Sequence, residues 1–111
     1  MGLSTHILDT AIGRPAANVG LTLSQLTAGE WRELGRSETD LDGRCKTLLG
    51  DKPLEEATYK IHFATAEYYA AQQLTGLYPY VEIVFTIADP AQHYHIPLLL
   101  TANGYTTYRG S

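Results

Sequence analysis

Along most of the chain, apolar and polar residues alternate with a period of two, which predicts strands. Residues 3–10 read as a first strand, in which His6 shares a face with Ser4 and Leu8, opposite Thr5 and Ile7. Residues 18–26 alternate Val19, Leu21 and Leu23 with Gly20, Thr22 and Ser24. Residues 30–38 set Trp31, Glu33 and Gly35 against Arg32, Leu34 and Arg36, which leaves the inward face open. Residues 57–63 put Tyr59, Ile61 and Phe63 inward, and residues 80–87 put Val81, Ile83, Phe85 and Ile87 on one face. Residues 93–101 give Tyr94, Ile96, Leu98 and Leu100 to the core, and so turn His93 and His95 together to the outer face.

Turn residues separate these runs: Gly13 and Pro15, the TAGE break, a polar stretch over 39–56, ADPAQ, and Asn103-Gly104, a strong hairpin signal. Residues 104–111 form a last strand or a tail. One segment departs from the alternation. ATAEYYAAQQL is rich in alanine and long polar side chains, and predicts a short helix with Thr65 as its N-cap. Seven or eight strands at about ten-residue spacing, plus one helix, predict a mainly β fold: a two-sheet antiparallel β-sandwich of about eight strands. Pro97 cannot donate to a ladder, so it is expected at an edge, a bulge or an interface.

Composition narrows the function classes. With 111 residues the chain is long enough for one domain, read here as 1–111, and too short for two. Eight basic and twelve acidic residues give a net charge of −4, which argues against nucleic acid and anionic membrane surfaces as partners. No apolar run approaches the roughly 20 residues of a spanning helix. MGLSTHILDT has no basic region followed by an apolar one, and RGS is not a peroxisomal tripeptide, so a cytoplasmic protein is expected. A single cysteine, Cys45, leaves no internal disulfide framework and no cysteine-based zinc site.

Candidate chemistry rests on few residues. His62 falls on the polar face of its strand and reads as a solvated imidazole. His6 sits mid-strand. His93 and His95 form a same-face pair, a weak metal signal without a cysteine or carboxylate partner, so no metal is expected. Arg44 lies in the DLDGRC loop. Cys45 beside it reads as a buried structural residue, because nothing local supplies a base for a nucleophile. The chain stops at TTYRGS, and Tyr108, Arg109 and the Ser111 carboxylate are expected to project into a site.

THILDT, DGR, HYHIPLLL and the terminal YRGS together resemble the transthyretin-related 5-hydroxyisourate hydrolases. IGRPAANV, EIVF and YYAAQQL fit the same family, so the resemblance covers nearly the whole chain. It implies a transthyretin-like sandwich of about eight strands and one helix, and a homotetramer with active sites at the dimer–dimer interface. It also implies hydrolysis of 5-hydroxyisourate to 2-oxo-4-hydroxy-4-carboxy-5-ureidoimidazoline in urate catabolism, with no cofactor. Carried over position by position, it implies catalytic roles for His6, Arg44, His95 and Ser111, and substrate binding by Tyr108, Arg109 and Gly110. One departure is TANGY, where relatives often carry an aromatic residue in the turn.

Opening the ring means adding water to a carbonyl, which needs a base, an oxyanion donor and a hold on a flat polar heterocycle. Histidine, with an ordinary pKa near 6.5, is base or acid at neutral pH. His6 or His95 is the base, and the other orients the water or donates a proton. Arg44 offers a fork of donors to the oxyanion. Ser111 orients a histidine or pairs with Arg44. The alternative is a transthyretin-like carrier of a thyroid hormone-type ligand, although His6, Arg44, His95 and YRGS favour a polar substrate.

Overall fold

A computed structural model describes residues 2–111; Met1, the first position of the 1–111 domain, lies outside the described residues. The strands are β1 (Leu3–Asp9), β2 (Arg14–Pro15), β3 (Gly20–Thr27), β4 (Glu30–Glu38), β5 (Arg44–Cys45), β6 (Ala57–Phe63), β7 (Val81–Ile87), β8 (Tyr94–Thr101) and β9 (Gly104–Thr107). The helix α1 (Thr65–Ala70) lies between β6 and β7. One sheet runs β2-β1-β8-β9, with β5 also paired to β1, and the other runs β4-β3-β6-β7. The chain is thus mainly β, with a core between two sheets. Tyr59, Ile61 and Phe63 from one sheet and Ile7 and Leu98 from the other are fully buried there. The alternating pattern identified these faces correctly.

The expected antiparallel sandwich is the one the chain adopts, with a single parallel ladder among the described residues. β1 and β8 pair in parallel from Leu3↔Tyr94 to Asp9↔Leu100. Parallel neighbours need a long crossover, and here everything from β2 to β7 intervenes. Two of the nine strands, β2 and β5, are two residues long and pair only with β1. The stretch 39–56, read as polar loop, supplies β5 and also buries Leu48 and Leu49. β4 was ambiguous because it carries a bulge: Leu23 pairs with Gly35 and Ser24 with Glu33, which leaves Leu34 as the extra residue. Leu34 packs on the core, so the parity of the strand reverses there.

The short helix falls within the segment where the sequence predicts it. It ends at Ala70, and Gln73 adopts a positive φ of 60°. Its N-cap is Ala64 and no side chain caps it. Thr65 is instead the first helical residue, and its hydroxyl donates to the Tyr78 carbonyl at 3.2 Å. The helix is anchored by its tyrosines: Tyr69 is buried, and Tyr68 donates to the buried Asp9 carboxylate at 2.7 Å.

Pro97 lies in an internal strand, between β1 and the chain that follows Thr107, and not at an edge. Tyr94 N donates to Gly2 O at 2.7 Å, towards β1. Strand alternation then aims the Pro97 nitrogen the other way. The β8–β9 ladder ends at Leu98↔Thr107 and resumes as a single bridge, His95↔Gly110, in unchanged register. Tyr108 therefore stands opposite Pro97. The missing donor falls in the interruption of the ladder.

Candidate active site

Register assembles the site on the outer face of the β1–β8 sheet. Ser4 is the partner of His95, and His95 is bridged to Gly110, so these three form one row across the sheet. His6 is the partner of Arg44 on one side and of Pro97 on the other, with Tyr108 beyond, and these form the next row. Residues 44, 95 and 108–111 are remote in sequence from β1 and meet there because β8 is inserted between β1 and the tail.

Around the Ser4–His95 row is a concavity of about 390 Å³, lined by Leu3, Ser4, Thr5, Arg44, Lys46, His93, His95 and Ser111. That volume lies in the usual range for small-molecule sites. Of the residues singled out in the sequence, Arg44, His93, His95 and Ser111 line it. His6 lies one row away, with Nε2 2.9 Å from the Asp42 carbonyl oxygen. A carbonyl only accepts, so Nε2 carries the proton and Nδ1 is bare in neutral His6. Tyr108 is exposed at 55%, beside the cavity. Arg109 turns away from it. Register sets Arg109 opposite Ile96, a core-facing residue, and its guanidinium lies 4.2 Å above the Tyr94 ring. It also donates to Gln92 Oε1 at 2.8 Å and to the His93 carbonyl at 3.3 Å.

The Arg44 loop is built by its own backbone. Asp40 Oδ1 accepts from the Arg44 and Asp42 amides, both at 2.9 Å. The Arg44 amide is the main reason the Asp40 carboxyl sits below its ordinary pKa. Gly43 has φ +74°, and its carbonyl accepts from Ile7 N at 2.7 Å. This clamp ties Arg44 to β1 beside His6.

Four residues of the lining carried no role in the sequence: Leu3, Thr5, Lys46 and Ser4. Lys46 adds a second cation to the lining. Ser4 is 7% exposed, and its Oγ lies 2.8 Å from His95 Nδ1 and 3.0 Å from His93 Nε2. The signal for Ser4 was its parity with His6, but only the β1–β8 pairing reveals what it touches. Burial lowers the His95 pKa, helped by the positive charge of Arg44 and by His6 and His93, so the imidazole is neutral at pH 7. Cys45 is buried, with Sγ 3.7 Å from Thr47 Oγ1. His62 pairs with Glu82 at 2.9 Å on the other sheet, far from the cavity in the fold. Among the described residues, no three of His, Cys, Asp or Glu come together as a metal-ion set.

This arrangement can hold a flat polar molecule, present a neutral imidazole to a water, and stabilise developing negative charge with Arg44. Residues 3–110 match the model of the HIUase/Transthyretin family. The chain belongs to that family. A mouse 5-hydroxyisourate hydrolase is 50% identical, over 98% of this chain and 94% of its own. A Salmonella dublin 5-hydroxyisourate hydrolase is 40% identical, over 98% and 80%. Among solved structures, the Klebsiella pneumoniae 5-hydroxyisourate hydrolase superposes with a TM-score of 0.86 at 34% identity, covering 98% of this chain and 97% of its own. Sea bream transthyretin in complex with thyroxine superposes with a TM-score of 0.93 at 32% identity, covering 99% and 95%. The fold is therefore shared by a 5-hydroxyisourate hydrolase and by a transthyretin that binds thyroxine, and the fold alone does not fix the function.

Proposed function

We propose that this chain is a 5-hydroxyisourate hydrolase. The observation that carries the reading is the convergence of His95, Arg44 and Ser111 on one cavity beside His6. The full-length similarity to hydrolases of that name supports it. His95 is the general base: it is neutral at pH 7 and its Nε2 is the ring nitrogen not engaged by Ser4. It takes a proton from water as the oxygen adds to a ring carbonyl. The guanidinium of Arg44 meets the oxyanion as it forms. Collapse breaks the ring C–N bond, the nitrogen takes up the proton, and the carbonyl carbon leaves as a carboxylic acid that ionises at neutral pH. His6, with Nδ1 bare, orients the water or the leaving nitrogen. Gly110 and Ser111 close the far side, Tyr108 frames the substrate from the rim, and Arg109 anchors the tail through Gln92 and the His93 carbonyl instead of touching the substrate. No cofactor enters any step.

The cavity lies on the outer face of the sheet, and the sheet face around it carries the partly buried Leu8 and Leu99 and the exposed Tyr108. Packing two such faces together would close it, which supports a homotetramer with sites at the dimer–dimer interface. A cytoplasmic location is part of the same reading; no helix among the described residues is long and apolar enough to cross a membrane. The test generates 5-hydroxyisourate from urate with urate oxidase and follows its ultraviolet decay. Acceleration by the protein, lost in His6→Ala and His95→Ala, is the expected result. Decay at the buffer rate from folded protein refutes the reading.

The competing reading is a carrier of a thyroxine-like ligand, favoured by the 0.93 TM-score with the thyroxine complex. The cations and imidazoles of the cavity count against it. Saturable thyroxine binding without hydrolysis would move it to first place.

A further inference from the structure

The hydrolase reading uses His95 but leaves its other ring nitrogen unexplained. That nitrogen, Nδ1, is held by Ser4 Oγ at 2.8 Å, and the same oxygen holds His93 Nε2 at 3.0 Å. Ser4 is buried, His95 is half-buried and His93 is exposed. A hydroxyl has one proton, so Ser4 donates to one imidazole and accepts from the other when both are neutral. Only two arrangements exist. In one, His95 Nδ1–H donates to Ser4, Ser4 donates to His93 Nε2, and His95 Nε2 is bare towards the cavity. In the other, every proton has moved one place, and His95 Nε2 carries a proton towards the cavity. The first presents a base and the second an acid.

We infer that Ser4 joins His95 and His93 into a proton relay that carries the positive charge of the catalytic imidazolium to the solvent-exposed end of the chain during each turnover and returns it. The inference rests on the hydrolase reading. When His95 Nε2 accepts the proton of the attacking water, its Nδ1 proton passes to Ser4 Oγ and the Ser4 proton passes to His93 Nε2. His95 and Ser4 are then neutral and His93 is the imidazolium. When His95 Nε2–H is delivered to the departing ring nitrogen, the two protons step back and the first arrangement is restored. No proton is gained or lost over the cycle, and no ring has to turn. The physical gain lies in where the charge waits. At His95 it would be partly desolvated beside Arg44 and His6, whereas at the exposed His93 it meets water.

Ser4 is thus a positioning residue, and the relay has a signature that plain packing lacks. Ser4→Ala and His93→Gln each break the same chain. Each should lower kcat about 10-fold, part of what a general base supplies, with KM little changed. The double variant should be no slower than either single one, because groups acting as one unit are not additive. Ser4→Thr keeps the hydroxyl and should restore the rate. In the unliganded wild type, two-bond proton–nitrogen NMR should find His95 protonated on Nδ1 and His93 bare on Nε2, and both should redistribute in Ser4→Ala. Losses that multiply in the double variant, an unchanged kcat in Ser4→Ala, or tautomers indifferent to Ser4 would each overturn the relay. A wild type that leaves 5-hydroxyisourate untouched would instead refute the hydrolase reading, and the NMR result would still decide whether the three side chains are coupled.

Discussion

Gly110 lies against the His95 imidazole so closely that a Cβ at position 110 would fall 2.5 Å from His95 Cδ2. The same glycine donates its amide to the His95 carbonyl at 2.7 Å. The tail and the ring therefore fix each other. Gly110→Ala must either push the imidazole aside or break the bridge. Both displace His95 from the cavity, and a misplacement of about 1 Å costs about 100-fold in rate. We expect a loss of that order in kcat/KM and a midpoint of thermal unfolding within a few degrees of wild type, because no core residue is touched.

The acid limb of the rate profile should lie below pH 6.5, the ordinary histidine value. His95 is held below that value, first by burial and then by Arg44. It stays neutral, and able to accept a proton, until the pH falls through its lowered pKa. Arg44→Gln removes one of the causes, so the pKa of His95 rises and the limb moves to higher pH while the maximal rate falls. The kcat/KM profile of the free enzyme measures both. A limb that stays in place in the variant would show that the titrating base is not His95.

Gly43 precedes Arg44 with φ +74°, and a Cβ there would lie 3.1 Å from Pro15 Cβ and 3.2 Å from Ala16 N. Gly43→Ala forces an L-residue into the left-handed region and against backbone at once. The expected cost is about 1–3 kcal/mol of stability, with a greater fractional loss of activity because Arg44 is the residue displaced. Denaturant unfolding beside the decay assay separates the two effects.

Asp9 is buried at 3% exposure and accepts from Tyr68 Oη at 2.7 Å and Ala11 N at 3.1 Å. Tyr68→Phe removes one of these donors from a buried carboxylate, at a cost of about 1–3 kcal/mol. The cavity is untouched, so kcat at 25 °C should not change. Burial, then the bond to Asp9, pushes the Tyr68 pKa up to about 12. The unfolded chain gives up that proton first, so its contribution to stability is lost between about pH 10 and 12. Alkaline unfolding of wild type and Tyr68→Phe reads that difference.

Much of this was legible in the sequence, because period-two alternation is a local signal. It oriented β3, β6, β7 and β8 correctly and turned His95 outward. What failed was whatever depends on distant partners. β5 is two residues long, too short for any period to register, yet it carries Arg44. The parity of β4 was unreadable because Leu34 is an inserted residue. Thr65 looked like a cap by type, but its hydroxyl found the Tyr78 carbonyl instead. The resemblance in THILDT, DGR and YRGS singled out residues that register then gathers. It carried no hint of Ser4, whose meaning depends on a strand 91 residues away.

That separation has a consequence for how the protein becomes active. Ser4 meets His95 across a sequence gap of 91 residues, and His95 in turn waits for Gly110. Local contacts form early and such distant ones form late, because the loop they close is costly. On the ribosome, the second sheet has all its strands once Ile87 has emerged. The first sheet cannot complete the pairing of β1 with β8 until Thr101 has emerged. Maturation of the cavity should therefore lag behind burial of the core. A refolding experiment should recover tyrosine fluorescence before it recovers turnover, and chains truncated by a few residues should collapse and yet remain inactive.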